Sequence, residues 1–439
     1  MRKTGWLVLL VLVLLGGACS NSESGSGDDG GSDDSVPVEG GGEETRDEFV
    51  ASDQPGVTDD TIRVGGVASV TNPLGGPYGQ AFDGAGLYFD QLNADGGIYG
   101  RDVELVAELD DNTGFENQAQ VTRLLTEEDV FAVVPVATLA FDGAQQLVDE
   151  GVPTFGWNIQ EEWGLGENMY GMRGFLCFTC ATPVFPWVVR EAGGTNVGVL
   201  GYDVPQSSEC AEGIQNAVEE YGGDEVEIGF LDNSLPYGVS DVSVQVSEMV
   251  DAGVDFVTTC MDFNGEKTVA DEMRRQGMDA QFYRPNGYDQ AQLDEFPDEF
   301  EGSIVLHQFW PFEMTTDQPE GMADYLAAVE AAGQQPSELS LAGWISADMF
   351  VDGLVGAGPE FTREGVISYL NSQDDYDADG ILPGIDWTVE HETDGDVGCN
   401  GFSVIEDGAF VPTFGEDGKP FVCIDLDAPE LPDDPEVRA

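Results

Sequence analysis

From Asp59 onward the sequence predicts an α/β protein built as two doubly wound parallel-sheet lobes, and three observations carry that reading. Short apolar runs rich in Val, Ile and Phe alternate with longer segments whose apolar residues recur at helical spacing. The short runs are apolar almost continuously, as strands covered on both faces of a parallel sheet must be. The alternation pauses after Asn158 and resumes at Thr195, which makes two layered units rather than one.

In the first series TIRVGGVASV, DVELVAELDD, VFAVVPVA and VPTFGWN read as strands. QAFDGAGLYFDQLNADGG, FENQAQVTRLLTEED and AFDGAQQLVDEG read as the helices between them. In the second, TNVGVLGYD, VEIGFLD, VDFVTTCMD and DAQFYRPNG are strands, separated by the helices CAEGIQNAVEEYGG, VSVQVSEMVDAG and EKTVADEMRRQG. The link LNADGGIYGRDVELVAELDDN is the tightest: Gly96-Gly97 supplies a left-handed helix stop and Gly100 the turn into the next strand. That strand delivers Asp110-Asp111 at its carboxyl end, the edge on which open α/β sheets hold ligands. Near the end of the chain, GFSVIEDGAFVPTF reads as a hairpin turning at Glu406-Asp407-Gly408.

The start of the chain is an export signal. Met1-Arg2-Lys3 is basic, Trp6 to Leu15 is unbroken apolar sequence too short for a full membrane span, and Gly16-Gly17-Ala18 precede Cys19. A Cys at the cleavage point resembles a bacterial lipobox, although Gly16 stands where Leu is usual. The expectation is a signal over 1–19 with Cys19 lipidated, anchoring the protein to the outer face of the cell membrane. Residues 20–57, rich in Ser, Gly, Asp and Glu, read as a disordered tether with a reach of about 35 Å.

Composition bounds the partners. The 439 residues are 41% hydrophobic, ample for a large core, and carry 85 acidic against 15 basic side chains, a formal net charge of -70. Nucleic acid and anionic headgroups are poor partners for such a surface, because phosphate contacts need Lys and Arg. The acids are spread along the chain, as in Asp59-Asp60 and Glu219-Glu220, which is the pattern of solvated faces adapted to salt. DYDADGILPGID spaces Asp375, Asp377 and Asp379 like a calcium loop and puts Asp386 at its last position. Asp there replaces the usual Glu and Pro383 interrupts the loop, so the stretch reads as a solvated acidic turn, with no metal and no cofactor expected.

Apart from Cys19 there are six cysteines, which suit an oxidising compartment. Cys399 and Cys423 bracket the hairpin and are expected to pair, worth about 3.5 kcal/mol by loop-closure entropy. Cys177, Cys180, Cys210 and Cys260 are expected to pair among themselves, in an order the sequence leaves open. The CFTC stretch admits a second reading as a redox pair, against which its flanks lack a thioredoxin-like context.

The runs GVASVTNPLGGPYGQAFDGAGLYFDQLN, NADGGIYGRDVELVAELDDN, DAGVDFVTTCMDFNGEKTVADEMRRQGMDAQFYRPNG and YDADGILPGIDWT occur in that order. Together they resemble the leucine/isoleucine/valine-binding family of type I periplasmic substrate-binding proteins. The resemblance implies two lobes joined by three hinge crossings, with ligand captured by closure. It would give lobe 1 residues 58–175 and 305–380, lobe 2 residues 176–304 and 381–425, and leave 426–439 as an acidic tail.

The resemblance also implies a site. Tyr78 would cover the ligand; Ala137, Thr138 and Leu139 would bind a carboxylate through a hydroxyl and the N–H groups of a helix start. Trp157, Asn158 and Gln160 fall on the next contact loop. In lobe 2 the likeness weakens: Cys210 and Asp262 stand near positions usually aromatic, and Asn286 stands where amino-acid binders carry an acid for the ligand's ammonium. Asp262 or Asp289 would then compensate, or the ligand is not an α-amino acid.

The expected function is therefore solute binding for an ABC importer, by a monomer that takes an amino acid or amide-like ligand to its permease subunits. A sensory module of the same fold is the alternative; the lack of a second membrane segment or signalling domain favours transport. No G-x-S-x-G, H-E-x-x-H, P-loop or zinc spacing occurs, and His307 and His391 are the sole histidines, so no enzyme is expected beyond the remote thiol-disulfide case.

Overall fold

The computed structural model describes residues 48–285, 287–389, 391, 398–426 and 430–439. Cys19 and the expected export signal lie outside them. Two sheets organise the fold. The first contains β1 (Thr61–Ala68), β2 (Asp102–Asp110), β3 (Ala132–Ala137), β4 (Thr154–Gly156) and β5 (Met169–Gly171) in the order β2-β1-β3-β4-β5, all parallel. The second is built on β6 (Asn196–Tyr202), β7 (Glu227–Leu235), β8 (Phe256–Cys260), β9 (Gln281–Arg284) and β10 (Ile304–His307), which are parallel. β11 (Cys399–Glu406), β12 (Ala409–Thr413), β13 (Phe421–Cys423) and β14 (Glu436–Arg438) extend it with antiparallel pairings.

The first sheet is followed strand by strand by α1 (Gln80–Ala94), α2 (Asn117–Thr126) and α3 (Ala144–Asp149). The second carries α4 (Val184–Glu191), α5 (Pro205–Tyr221), α6 (Ser243–Ala252), α7 (Phe263–Gln276) and α8 (Gln290–Glu295). α9 (Glu320–Ala332), α10 (Glu338–Ala357) and α11 (Arg363–Leu370) return to the first. The chain thus crosses between sheets after β5, after β10 and before β11, three crossings in all.

α10 is the helix that the residue pattern hides. Its 20 residues are apolar nearly all round, so no amphipathic stripe marks it, and it is long and apolar enough to cross a membrane. Its position explains the composition: it is buried against α1, β3 and β4. The contact with α1 is close because both helices bring glycine to it; a Cβ on Gly84 would lie 1.7 Å from the Ser340 carbonyl oxygen, and one on Gly343 1.9 Å from that of Ala81.

The turn between α1 and β2 forms as read, with Gly96 at φ 109° and Gly97 at φ 72°. It also carries Arg101, which is 1% exposed and donates to the carbonyls of Thr58 (2.6 Å) and Val50 (2.7 Å) while lying 4.4 Å over Phe49. Residues 49–57 are therefore held on the body, and the expected tether is shorter at that end.

Three other boundaries differ from expectation. β10 pairs with β9 and β11, so residues 304–307 belong to the second sheet. Residues 381–389 stay with the first lobe: Ile385 exchanges backbone hydrogen bonds with Tyr376 at 2.8 and 2.9 Å, and the Trp387 ring lies 5.1 Å from Tyr170. The expected acidic tail supplies β14, which pairs with β13. Strand pairings and a ring contact made only in the fold decide these boundaries, which periodicity does not encode.

The disulfides join Cys177 to Cys180, Cys210 to Cys260 and Cys399 to Cys423. The last pair links residues facing each other across β11 and β13. The hairpin turns where expected, Asp407 and Gly408 both having positive φ (52° and 76°), as a two-residue primed turn requires.

Candidate ligand cleft

A cavity of about 280 Å³ opens where the carboxyl ends of the two sets of parallel strands face each other. The segments after β1, β3 and β4 line one side, those after β6, β7, β8 and β9 the other, and the start of α10 closes it.

Each side supplies an aromatic pair. Tyr78, in the loop leading to α1, stands 5.6 Å from Trp157, which follows β4. Opposite, Tyr202 at the end of β6 meets Tyr237 edge-on at 5.2 Å. Tyr78, Trp157 and Tyr202 are buried by the surrounding loops.

Four carboxyl groups reach the same space: Asp262, Glu266, Asp289 and Glu338. Asp262 caps α7, accepting from the N–H groups of Asn264 (2.9 Å) and Gly265 (3.2 Å). Glu266, one turn on, is 1% exposed and paired at 2.9 Å with Arg284, whose guanidinium lies 3.6 Å over Phe300. Asp289 caps α8 through the N–H groups of Ala291 (2.9 Å) and Gln292 (3.2 Å). Glu338 accepts from the Trp157 indole N–H at 3.2 Å.

No Lys, Arg or His is among the described residues that line the cavity. Burial raises all four acids above the ordinary carboxylate range. Glu338 is pushed up to about 7 by burial; the Trp157 hydrogen bond opposes that, and Asp289 and Glu266 add to it. At Glu266 burial outweighs the stabilising charge of Arg284. Glu266 Oε1 closes no hydrogen bond, and the Tyr202 hydroxyl lies against Asp262 as its side-chain donor.

Direct contacts bridge the mouth. Asn264 donates its N–H to the Leu74 carbonyl (3.3 Å) and its side-chain amide to that of Pro73 (3.1 Å), and Gln206 donates to the Leu139 carbonyl (3.2 Å). The two sides therefore touch around a cavity that both help to line, which is the geometry of capture by closure.

The family model described as periplasmic binding protein matches residues 61–398. The chain belongs to the periplasmic binding protein family. No match is found among curated proteins. Among solved structures, this binding protein is similar to a branched-chain amino acid transporter substrate-binding protein from Streptococcus pneumoniae in complex with isoleucine. The two share 17% identity at a TM-score of 0.67, over 80% of this chain and 100% of that one. A fatty acid ABC transporter substrate-binding protein from Thermomonospora curvata matches at 18% identity and TM-score 0.66, covering 86% and 94%. An ABC transporter solute-binding protein from R. palustris in complex with benzoate matches at 12% identity and TM-score 0.66, covering 83% and 98%. At these identities the likeness is one of fold.

Of the residues singled out in the sequence, the binding protein brings Tyr78, Leu139, Trp157, Asn158, Asp262 and Asp289 to the cavity wall. Ala137, Thr138 and Gln160 do not line it. Thr138 is wholly buried, its hydroxyl set between Asp111 Oδ2 and the Ala140 carbonyl. Gln160, also buried, donates to the Thr138 carbonyl and accepts from the Trp163 indole at 3.3 Å. Asp111 is the centre of this network, accepting also from Ser69 (2.7 Å), Gly114 N–H (2.9 Å) and Asn117 (3.0 Å). Thus the strand that ends in Asp110-Asp111 fixes the edge of the cleft and does not face the ligand space. Asn286 lies outside the described residues.

Among the described residues no group of three His, Cys, Asp or Glu side chains converges, those of Asp375, Asp377, Asp379 and Asp386 included. Cys210, where an aromatic contact was sought, joins Cys260 in the cavity wall. Sequence reading missed Tyr202, Tyr237, Glu266 and Glu338. Glu266 was within reach, since an acid four residues after a helix-capping Asp lies on the same helix face. Glu338 follows the capping Ser337, but its nearness to Trp157, 181 residues away in sequence, exists only in the fold.

Proposed function

We propose that this protein is the extracytoplasmic solute-binding component of an ABC importer, capturing a small organic solute of about the size of a branched-chain amino acid by closure of its two lobes. The observation that carries the reading is the cavity itself: both sheets line it and both lobes hydrogen-bond across its mouth. A ligand touching both sides favours the closed state by its differential contacts, which is the signal a permease reads. The similar fold of proteins described as ABC transporter binding proteins for isoleucine, fatty acid and benzoate supports the importer role and leaves the solute to the lining residues. Lipidation at Cys19 would hold the protein at the membrane beside its permease. We read its role as binding rather than catalysis, in keeping with His307 and His391, which burial depresses to about 4, away from a useful base.

The test is thermal-shift screening of the folded body in high salt against amino acids, amides, amines and small acids, with small-angle scattering on any hit. A specific solute at about 100 times its Kd adds about 2.7 kcal/mol of stability and contracts the molecule. If no solute raises the melting temperature, or hits bind without contraction, capture by closure is wrong.

A further inference from the structure

Resting on the reading of the cavity as the solute site, we propose that it selects an organic ammonium ion with an apolar body and no carboxylate of its own, held by Asp262 and Glu338 between the aromatic pairs.

The balance of charge comes first. Of the four acids at the cavity Glu266 is paired with Arg284 and Asp289 feels the same guanidinium, while no Lys, Arg or His stands among the described lining residues to serve Asp262 or Glu338. A ligand carboxylate entering here would meet acids on three sides, with Arg284 already engaged by Glu266 and no basic group among the described lining residues to receive it.

The usual anion receptors of an α/β cleft are also filled. Helix N-termini attract anions through free N–H groups. α7 is capped by Asp262, α8 by Asp289 and α10 by Ser337, whose hydroxyl accepts from Ser340 N–H at 3.2 Å. On the first lobe, Leu139 N–H is donated to the Ser69 hydroxyl at 3.0 Å and the Thr138 hydroxyl is engaged with Asp111.

What remains unused is of the opposite kind. Glu266 Oε1, in a side chain 1% exposed, is an acceptor without a donor, and Asp262 has the Tyr202 hydroxyl as its one side-chain donor. An ammonium group offers donors and no acceptor, which matches that remainder. The rings of Tyr78 and Trp157 on one side and Tyr202 and Tyr237 on the other supply faces and edges for an apolar cation. A space of about 280 Å³ suits a body of a few carbons.

The experiment holds one skeleton and changes its charge. Isopentylamine, isopentanol, isocaproate and leucine are titrated calorimetrically into the folded protein, with choline as a second cation. Isopentylamine or choline should bind at least about tenfold more tightly than isopentanol, isocaproate or leucine. Glu338→Gln, which keeps an acceptor for the Trp157 indole, should cost the amine about tenfold and leave the alcohol unchanged; Asp262→Asn is the second variant should the first misfold. Leucine binding more tightly than the amine overturns selection of an ammonium without a carboxylate and leaves solute capture standing. Equal binding of amine and alcohol, or no binding of either cation below about 1 mM, overturns it as well.

Discussion

Asp348 shows what burial does to a single carboxyl in this chain. It accepts from the hydroxyls of Tyr88 (3.0 Å) and Tyr376 (2.6 Å) inside the first lobe, and burial pushes it up to about 7. Between about 4 and 7 the fold holds a proton that the unfolded chain has lost, so this contribution is complete at low pH and disappears as pH rises towards 7. Glu338 acts in the same direction. His307 and His391 act in the other: depressed to about 4, they contribute stability above pH 6.5 that is lost as pH falls. Asp348→Asn keeps an acceptor but removes the titration, so its cost should be larger at about pH 4.5 than at about pH 7.5, by on the order of 2 kcal/mol. Urea unfolding at the two pH values measures this; an equal cost would show that Asp348 is ionised throughout.

Among the elements, α10 joins composition to packing most directly. Its apolar surface would suit a membrane, yet its glycine meets the glycine-bearing face of α1 at backbone contact distance. Gly84→Ala sets a methyl against the Ser340 carbonyl, where no side chain can move aside, and should destabilise by on the order of 3 kcal/mol. Denaturant melts test this against Gly86→Ala, two residues along the same helix, where a Cβ meets nothing within 4 Å and the change should be neutral or stabilising. Comparable losses in both would place the cost in the helix and not in the crossing.

At the scale of the whole molecule, acidic surface and closure meet. With 15 basic side chains available, most ion pairs are local and exposed, and Arg284 is committed to the buried pair behind the cleft. The closed state relies instead on neutral hydrogen bonds such as those of Asn264, which salt screens little. Asn264→Ala removes the side-chain bond to Pro73 and should weaken ligand binding about fivefold, chiefly through faster release, with little change in the stability of the free protein. Stopped-flow fluorescence of Trp157 and its neighbours reads the release rate; an unchanged rate would mean that the contact does not hold the mouth shut.

The sequence by itself determined the layered architecture, the glycine turn before β2, the hairpin near the C-terminus and the loops that end at the cleft. All of these depend on local periodicity, backbone freedom and charge, which neighbouring residues encode. It also placed Tyr78, Trp157, Asp262 and Asp289 on cleft loops, since strand ends in an open sheet face one edge. Tertiary structure decided which side chains at that edge turn inward. Asp111 draws Thr138 into the protein, and Gln160 bonds to the Thr138 backbone and Trp163, while α10 brings Glu338 from a distant part of the chain to Trp157. The direction of a side chain at the end of a strand follows the partner it finds, and those partners are assembled only when the chain has folded.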